Sequence, residues 1–376
     1  MTVTLADVAA RARVSPATVS RVLNGNYPVA AETRERVLRA VDELDYVLNG
    51  PASALAAATS DLVGILVNDI ADPFFGIMAG AAQTEIGRAA GDGGPNGNGR
   101  AGGEKLAVVC NTGGSPEREL TYLTLLQRQR ASAVVITGGA LEDPAHITAM
   151  AAKLTRLMEA GTTVVLCGRP PLPAPGAGSP AGASGAGAGP LAARIPAAVT
   201  FDNRGGGRLL TDHLIALGHR RIGYLAGPAG RTTTRHRLEG HRAALAAAGI
   251  TGDQDRVTVH GPYTRDAGQQ GTRELLLRDP GLTAVVAAND TVALGAYAAL
   301  RELGLRIPED IAVAGFDDLP FARDMGPALT TVRLPLIEAG ARAGRLARGR
   351  ERVPQGGIAM LPATLLPRAS TARPHD

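Results

Sequence analysis

Between Val14 and Gly25 the chain reads VSPATVSRVLNG, a stretch rich in side chains that read nucleic acids. Val19, Val22 and Leu23 fall on one helical face, which leaves Ser15, Pro16, Ala17, Ser20 and Arg21 pointing elsewhere. A guanidinium such as that of Arg21 donates bidentately to guanine, and the hydroxyls of Ser15, Thr18 and Ser20 suit a phosphate or a base edge. Pro16 and Ala17 offer small apolar contacts of the kind a thymine methyl takes. Other chemistry is sparse. Gly205-Gly206-Gly207 opens a helix after AVTFDN and could cradle a phosphate, but the chain has no GxxxxGK motif and no GxGxxG opens that helix. The seven histidines are scattered, with His213 and His219 flanking one helix and His236 and His241 another. Neither catalysis, a metal site nor a cofactor is expected. Cys110 and Cys167 each end an apolar run, which predicts buried strand thiols in a reducing compartment rather than a disulfide.

Three short helices must hold the first stretch in place. Thr4 with Asp7 forms a capping-box pattern for a helix through Ala12. Ser15 is a good N-cap, Pro16 sits where its missing N–H costs nothing, and Asn24-Gly25 closes the second helix. A third helix is expected over 32–44, with Val37, Val41 and Leu44 joining Leu5, Val8 and Ala9 in a miniature core. Two helices across a tight turn, the second with a polar edge, describe a helix-turn-helix. The spacing alone also fits a three-helix protein-binding module. Charge does not separate the two: residues 1–60 hold six arginines against six acids, and the whole chain carries +4. Any electrostatic footprint must come from local placement, such as Arg11, Arg13 and Arg21 near Asp7 alone.

With 376 residues the chain exceeds one compact core. Residues 49–60, NGPASALAAATS, read as a linker or a weak helix of small residues. Beyond them the period changes. Short apolar runs at 62–67, 105–110, 131–137, 162–168, 221–227, 284–290 and 310–318 alternate with amphipathic stretches at 74–90, 117–129, 205–217, 238–248, 266–277 and 291–303. This alternation predicts an α/β fold with two doubly wound subdomains, whose ligands bind at the carboxyl ends of the strands. Residues 91–103 and 170–196 are too rich in Gly, Pro and Ala to bury a core and read as disordered surface insertions. No window approaches a membrane span, and the first residues lack a signal pattern because Asp7 and Arg11 interrupt it, so the cytoplasm is expected.

The order of several motifs carries a resemblance. TLADVAARARVSPATVSRVLNG, ETRERVLRAVDELDYVLN, GILVNDIADPFF, NTGGSPERELTYLTLL, TFDNRGGGRLLTDHLIALGHRRIGYLAGP, RLEGHRAAL and AVVAANDTVALGAYAALRELGLRIPEDIAVAGFDDLP follow one another. The series resembles the lactose-repressor/galactose-repressor (LacI/GalR) family of bacterial transcription regulators along the whole chain apart from the two insertions. The resemblance implies a DNA-binding headpiece over 1–48, a hinge over 49–60, and an effector-binding domain over 61–376 resembling periplasmic sugar-binding proteins. Its N-subdomain would take 61–198 and 331–350, and its C-subdomain 199–330 and 351–376. It further implies a homodimeric repressor on a pseudo-palindromic double-stranded operator, contacted through Ser15, Pro16, Ala17, Thr18, Ser20, Arg21 and Asn24. Leu55 would be the wedge that enters the central minor-groove step.

For the effector the resemblance points to Asp69, Phe74, Phe75, Arg237, Tyr263, Asn289 and Asp317, a set suited to a sugar: acids and amides for hydroxyls, a fixed guanidinium fork, aromatic faces for C–H patches. A purine, a phosphorylated metabolite or a protein partner are the alternatives. Phe75 also fits a plain core residue, and Asp290 is expected only to cap its helix. Four departures stand out: Arg13 where a turn glycine is common, Ala30 in place of a capping hydroxyl, Gly50-Pro51 and Ser53 in the hinge, and Gly168 where some relatives carry an acid. The tail has no leucine heptads, so a dimer and no tetramer-forming bundle is expected.

Overall fold

The computed structural model describes residues 3–24, 28–44, 46, 60–88, 105–171, 196–253 and 255–372. The chain divides between Asp61 and Leu62 into two compact units. Leu55, the hinge from 49 to 59, and nearly all of both glycine- and proline-rich insertions lie outside the described residues.

In the small unit, helices α1 (Leu5–Ala12), α2 (Pro16–Asn24) and α3 (Ala31–Glu43) form as their caps dictate. The Thr4 amide donates to Asp7 Oδ2 at 2.7 Å and the Asp7 amide to Thr4 Oγ1 at 3.4 Å, the reciprocal capping box. Ser15 Oγ accepts from the Thr18 amide at 3.1 Å and so starts α2. Ala30 makes no side-chain cap for α3. Val8, Ala9, Ala12, Val19, Val22, Val37 and Ala40 are the buried core, with Leu5, Val14, Val41 and Leu44 packed around it.

The large unit holds strands β1 (Leu62–Val67), β2 (Leu106–Asn111), β3 (Ala133–Thr137), β4 (Thr163–Cys167), β5 (Ala197–Phe201), β6 (Ile222–Ala226), β7 (Thr258–His260), β8 (Ala284–Ala287), β9 (Ala312–Asp317), β10 (Thr330–Arg333), β11 (Ile358–Leu361) and β12 (Thr364–Leu366). Its α-helices are α4 (Pro73–Gly87), α5 (Pro116–Arg128), α6 (Pro144–Glu159), α7 (Asn203–Ala216), α8 (Thr232–Ala247), α9 (Arg265–Arg278), α10 (Asp290–Glu302) and α11 (Leu336–Ala347). One sheet runs β2-β1-β3-β4-β5-β11, all parallel, and the other β7-β6-β8-β9-β10-β12, with β12 antiparallel. Each is a doubly wound lobe whose order reverses beside its first strand. The central strands β3, β5, β6 and β8 are buried throughout, which is why they read as unbroken apolar runs.

The lobe boundaries differ from those expected. Strand β5 reaches Phe201, past the expected division at 198, and stays in the first sheet. Thr330–Arg333, expected partly in the first lobe, pairs with β9 in the second. Ile358–Leu361, expected in the second lobe, pairs in parallel with Ala197–Phe201 in the first. The reason is physical: IAML is a four-residue edge strand with alternating burial, and nothing in its pattern says which sheet edge it completes.

Close helix packing depends on glycines. A Cβ on Gly207 would lie 2.3 Å from the Arg237 carbonyl oxygen, and one on Gly240 would lie 2.1 Å from that of Arg204, so α7 and α8 meet backbone to backbone. Cys167 is buried and Cys110 half-buried, and both are free thiols; burial pushes Cys167 up to about 12. Among the described residues no helix is long and apolar enough to cross a membrane.

Candidate functional site

The two lobes enclose a cleft of about 340 Å³ at the carboxyl ends of their strands. All seven residues named for the effector line it: Asp69, Phe74, Phe75, Arg237, Tyr263, Asn289 and Asp317. The first lobe supplies the turn after β1. Asp72 caps α4 by accepting from the Phe74 amide at 2.9 Å, and the cap aims Phe74 and Phe75 into the cleft, edge to face at 5.1 Å. Phe75 lines the cleft and also packs on the core beneath. Asp69 is exposed and accepts from the Ala71 amide at 3.0 Å.

The second lobe supplies a buried polar floor. Arg237 is 2% exposed and donates three ways: Nε to Asn203 Oδ1 at 2.8 Å, one terminal nitrogen to the Ala288 carbonyl at 2.6 Å, and the other to Asp317 Oδ1 at 2.7 Å. Its guanidinium carbon lies 3.8 Å from the centre of the Phe316 ring. With five N–H donors and three committed, the fork is fixed and still has donors for a ligand. Asp317, at the end of β9, adopts φ of 105°, a conformation an L-residue adopts only when its surroundings impose it. Burial pushes its carboxyl up to about 7 against the pull of Arg237, with Asp72 adding to the rise. Burial likewise raises Asp72. The Tyr263 hydroxyl shares a 2.7 Å hydrogen bond with Thr234, and Asn289 Oδ1 caps α10 through the Val292 amide at 2.9 Å.

Several functional neighbours escape a reading of the sequence. Asn203 looks like a cap in TFDNRGGG, but Asp202 takes that role, accepting from the Gly205 amide at 2.8 Å, and leaves Asn203 to orient Arg237. The three glycines serve packing and capping: Gly206 lies under Phe316, Gly207 under the Arg237 backbone, and Gly205 against the Asp202 cap. Asp290 is not a cap. It is fully buried, accepts from the Leu319 amide at 2.7 Å and Thr331 Oγ1 at 2.6 Å, and is raised well above an ordinary carboxylate, burial foremost and Asp317 next. Asn68, Arg231 and Thr233 also line the cleft, while Gly168 lines a neighbouring hollow that shares Thr233.

On the small unit, Ser15, Pro16, Ala17 and Arg21 are exposed, and Thr18 and Ser20 half-buried. Ser15 Oγ and Thr18 Oγ1 bond to each other at 2.9 Å, so this pair fixes the start of α2 as well as flanking its exposed edge. Asn24 ends α2, and its side chain lies outside what the structure describes. Arg13 takes φ of 53° in the turn, the left-handed conformation that a glycine would adopt without cost. Arg11 pairs with Glu43, which corrects the expectation that Asp7 alone opposes Arg11, Arg13 and Arg21.

Set beside known proteins, residues 4–49 match the model for bacterial regulatory proteins of the lacI family, and residues 211–371 match a periplasmic binding protein-like domain. The chain is 35% identical to the HTH-type transcriptional regulator GalS of Salmonella typhimurium, over 92% of this chain and 89% of that one. It is 36% identical to the HTH-type transcriptional regulator CelR of Thermobifida fusca, over 91% and 90%. Among solved structures, the Lac repressor dimer bound to operator and the anti-inducer ONPF superposes with a TM-score of 0.74 at 28% identity, covering 99% of this chain and all of that one. A CelR–cellobiose complex gives 0.63 at 31%, covering 98% and 99%.

Proposed function

The chain belongs to the lacI family of bacterial regulatory proteins, DNA-binding regulators of transcription, and from that premise we propose that it is a homodimeric repressor released or engaged by a neutral sugar. The headpiece reads a pseudo-palindromic operator through Arg21, with Ser15, Pro16, Ala17, Thr18, Ser20 and Asn24 beside it. Leu55 enters the minor groove from the hinge. The effector sits in the interlobe cleft on Asp69, Phe74, Phe75, Arg237, Tyr263, Asn289 and Asp317.

The observation that carries this reading is the cleft's polar floor beneath two phenyl rings. A hydroxyl-rich ligand needs acceptors, a few fixed donors and an apolar face. Three acidic side chains (Asp69, Asp72, Asp317) line the cleft, and its two guanidiniums are already engaged within the protein, Arg237 by Asp317 and Arg231 by the Gly114 and Gly139 carbonyls. That balance favours a neutral sugar over a phosphorylated metabolite. The relatives support the same choice, since one solved neighbour is a complex with cellobiose. Binding that changes the angle between the lobes would alter the hinge and hence operator affinity, a coupling of typically ~1–3 kcal/mol.

Selection of the purified protein against a random duplex pool, with and without a panel of neutral mono- and disaccharides, tests the proposal. A pseudo-palindrome with two equal half-sites, whose retention changes with one saccharide, is the expected result. Arg21→Ala should cost ~1–3 kcal/mol and relax one base pair of each half-site. Uniform loss on every sequence would reduce Arg21 to a phosphate contact. Leu55→Ala should lessen DNA bending, and unchanged bending would remove the wedge.

A further inference from the structure

Beside the cleft the two lobes are tied by hydrogen bonds between two chain segments. The segment after β3, Gly138 to Glu142, lies along the segment that opens α8, Gly230 to Arg235. The Thr232 amide donates to the Ala140 carbonyl at 3.0 Å and the Glu142 amide to the Gly230 carbonyl at 2.7 Å. The Ala140 amide donates to Thr232 Oγ1 at 3.0 Å, and Leu141 and Arg231 form an antiparallel bridge. Arg235 Nε pairs with Glu142 Oε1 at 2.7 Å on the outer side. Gly139 permits the approach, because a Cβ there would lie 2.3 Å from Thr233 Oγ1.

Arg231 adds a crossing of its own. It belongs to the second lobe, lines the cleft, and donates to first-lobe carbonyls, Gly114 at 2.9 Å and Gly139 at 3.3 Å. A cation spent on two neutral carbonyls holds position without competing for the ligand's acceptor, Asp317.

We propose that these two segments are an interlobe strap which sets the closed angle of the cleft before the effector arrives, with Arg231 as its positioning residue. The inference rests on the reading of the cleft as the effector site. A site competent only when closed binds with an apparent affinity scaled by the closed fraction, so the strap raises affinity without touching the ligand. Glu142 and Arg235 do not line the cleft, and they separate this role from direct contact.

Hydrogen exchange on the purified full-length protein, with no saccharide added, reads the strap directly. The amides of Ala140, Glu142 and Thr232 should exchange at least ~100-fold more slowly than an open loop. Glu142→Ala and Arg235→Ala should lower that protection. They should also weaken whichever saccharide of the panel binds the parent protein by ~10-fold, and Arg235→Lys should restore most of it. The global unfolding midpoint serves as the control for a merely structural defect. Fast exchange at the three amides in the parent protein overturns the strap. So does a loss of affinity confined to Arg231→Met, which would make Arg231 a ligand contact. If no saccharide binds the parent protein, the sugar reading fails and the exchange pattern alone decides the strap.

Discussion

The two units reach order by opposite means. Among the described residues of the headpiece no fully buried side chain is larger than valine, whereas the sensor buries Tyr224, Phe316, Met78, Ile65 and Leu123 at 2% exposure or less. A core of seven small residues supplies little hydrophobic free energy, so the headpiece leans on local devices: a capping box, the Ser15 cap and the Arg11–Glu43 pair. The sensor instead buries two arginines, Arg169 and Arg237, and four acids, Glu85, Glu119, Asp290 and Asp317, the last in a strained backbone conformation. Strain sits in both units, at Arg13 and at Asp317. Only in the sensor does surrounding structure over-determine it.

The sharpest way to break that contrast is to remove Arg237, the buried cation of the cleft floor. Arg237→Met leaves Asp317 and Asn203 without their partner and should destabilise the sensor by ~3–5 kcal/mol, read by chemical denaturation, with headpiece helicity unaffected. A cost under 1 kcal/mol would mean that the floor is looser than its hydrogen bonds imply.

The pH dependence tests the same pair from the other side. Asp317 rises from 3.8 to about 7 in the folded protein because it is buried, so the native state keeps a proton that the unfolded chain has released. Its contribution to stability is full below the lower value and declines as pH rises toward the upper one. Parent stability relative to Asp317→Asn should therefore fall from pH 4 to 7 and level off above; a constant difference would contradict the assignment. Overpacking comes next. Gly240→Ala pushes a methyl group against the Arg204 carbonyl and should cost ~1–3 kcal/mol in the sensor midpoint. The smallest effect is the only gain: Arg13→Gly relieves the left-handed turn and should stabilise the headpiece by ~1 kcal/mol in thermal melts. A loss there would show that the Arg13 side chain holds the turn.

Much of this architecture was legible in the chain. The buried parallel strands announce themselves as apolar runs, and the capping residues of α1 and α2 mark their starts because each side chain bonds within its own turn. The residues proposed for the effector came from the family resemblance rather than from spacing, and all seven line one cleft. What stayed hidden depends on distant partners. Asn203 and Asp202 are adjacent acceptor-bearing residues, and only Arg237, 34 positions after Asn203, decides which of them orients the guanidinium. Asp290 looks like any residue at a helix start, yet Leu319 and Thr331 claim both of its oxygens. The edge strand Ile358–Leu361 was unplaceable for the same reason, since its partner lies some 160 residues earlier.

That last pairing has a consequence for synthesis. The chain passes between the lobes after β5, after β10 and after β11, so the first sheet gains its final strand only when residues 358–361 have been made. The headpiece, whose described apolar core lies between Val3 and Tyr46, is made while most of the sensor is still to be translated. A nascent chain stalled before Ile358 would thus carry a finished DNA-reading module on a sensor with an open sheet edge, the state most exposed to aggregation and to quality control.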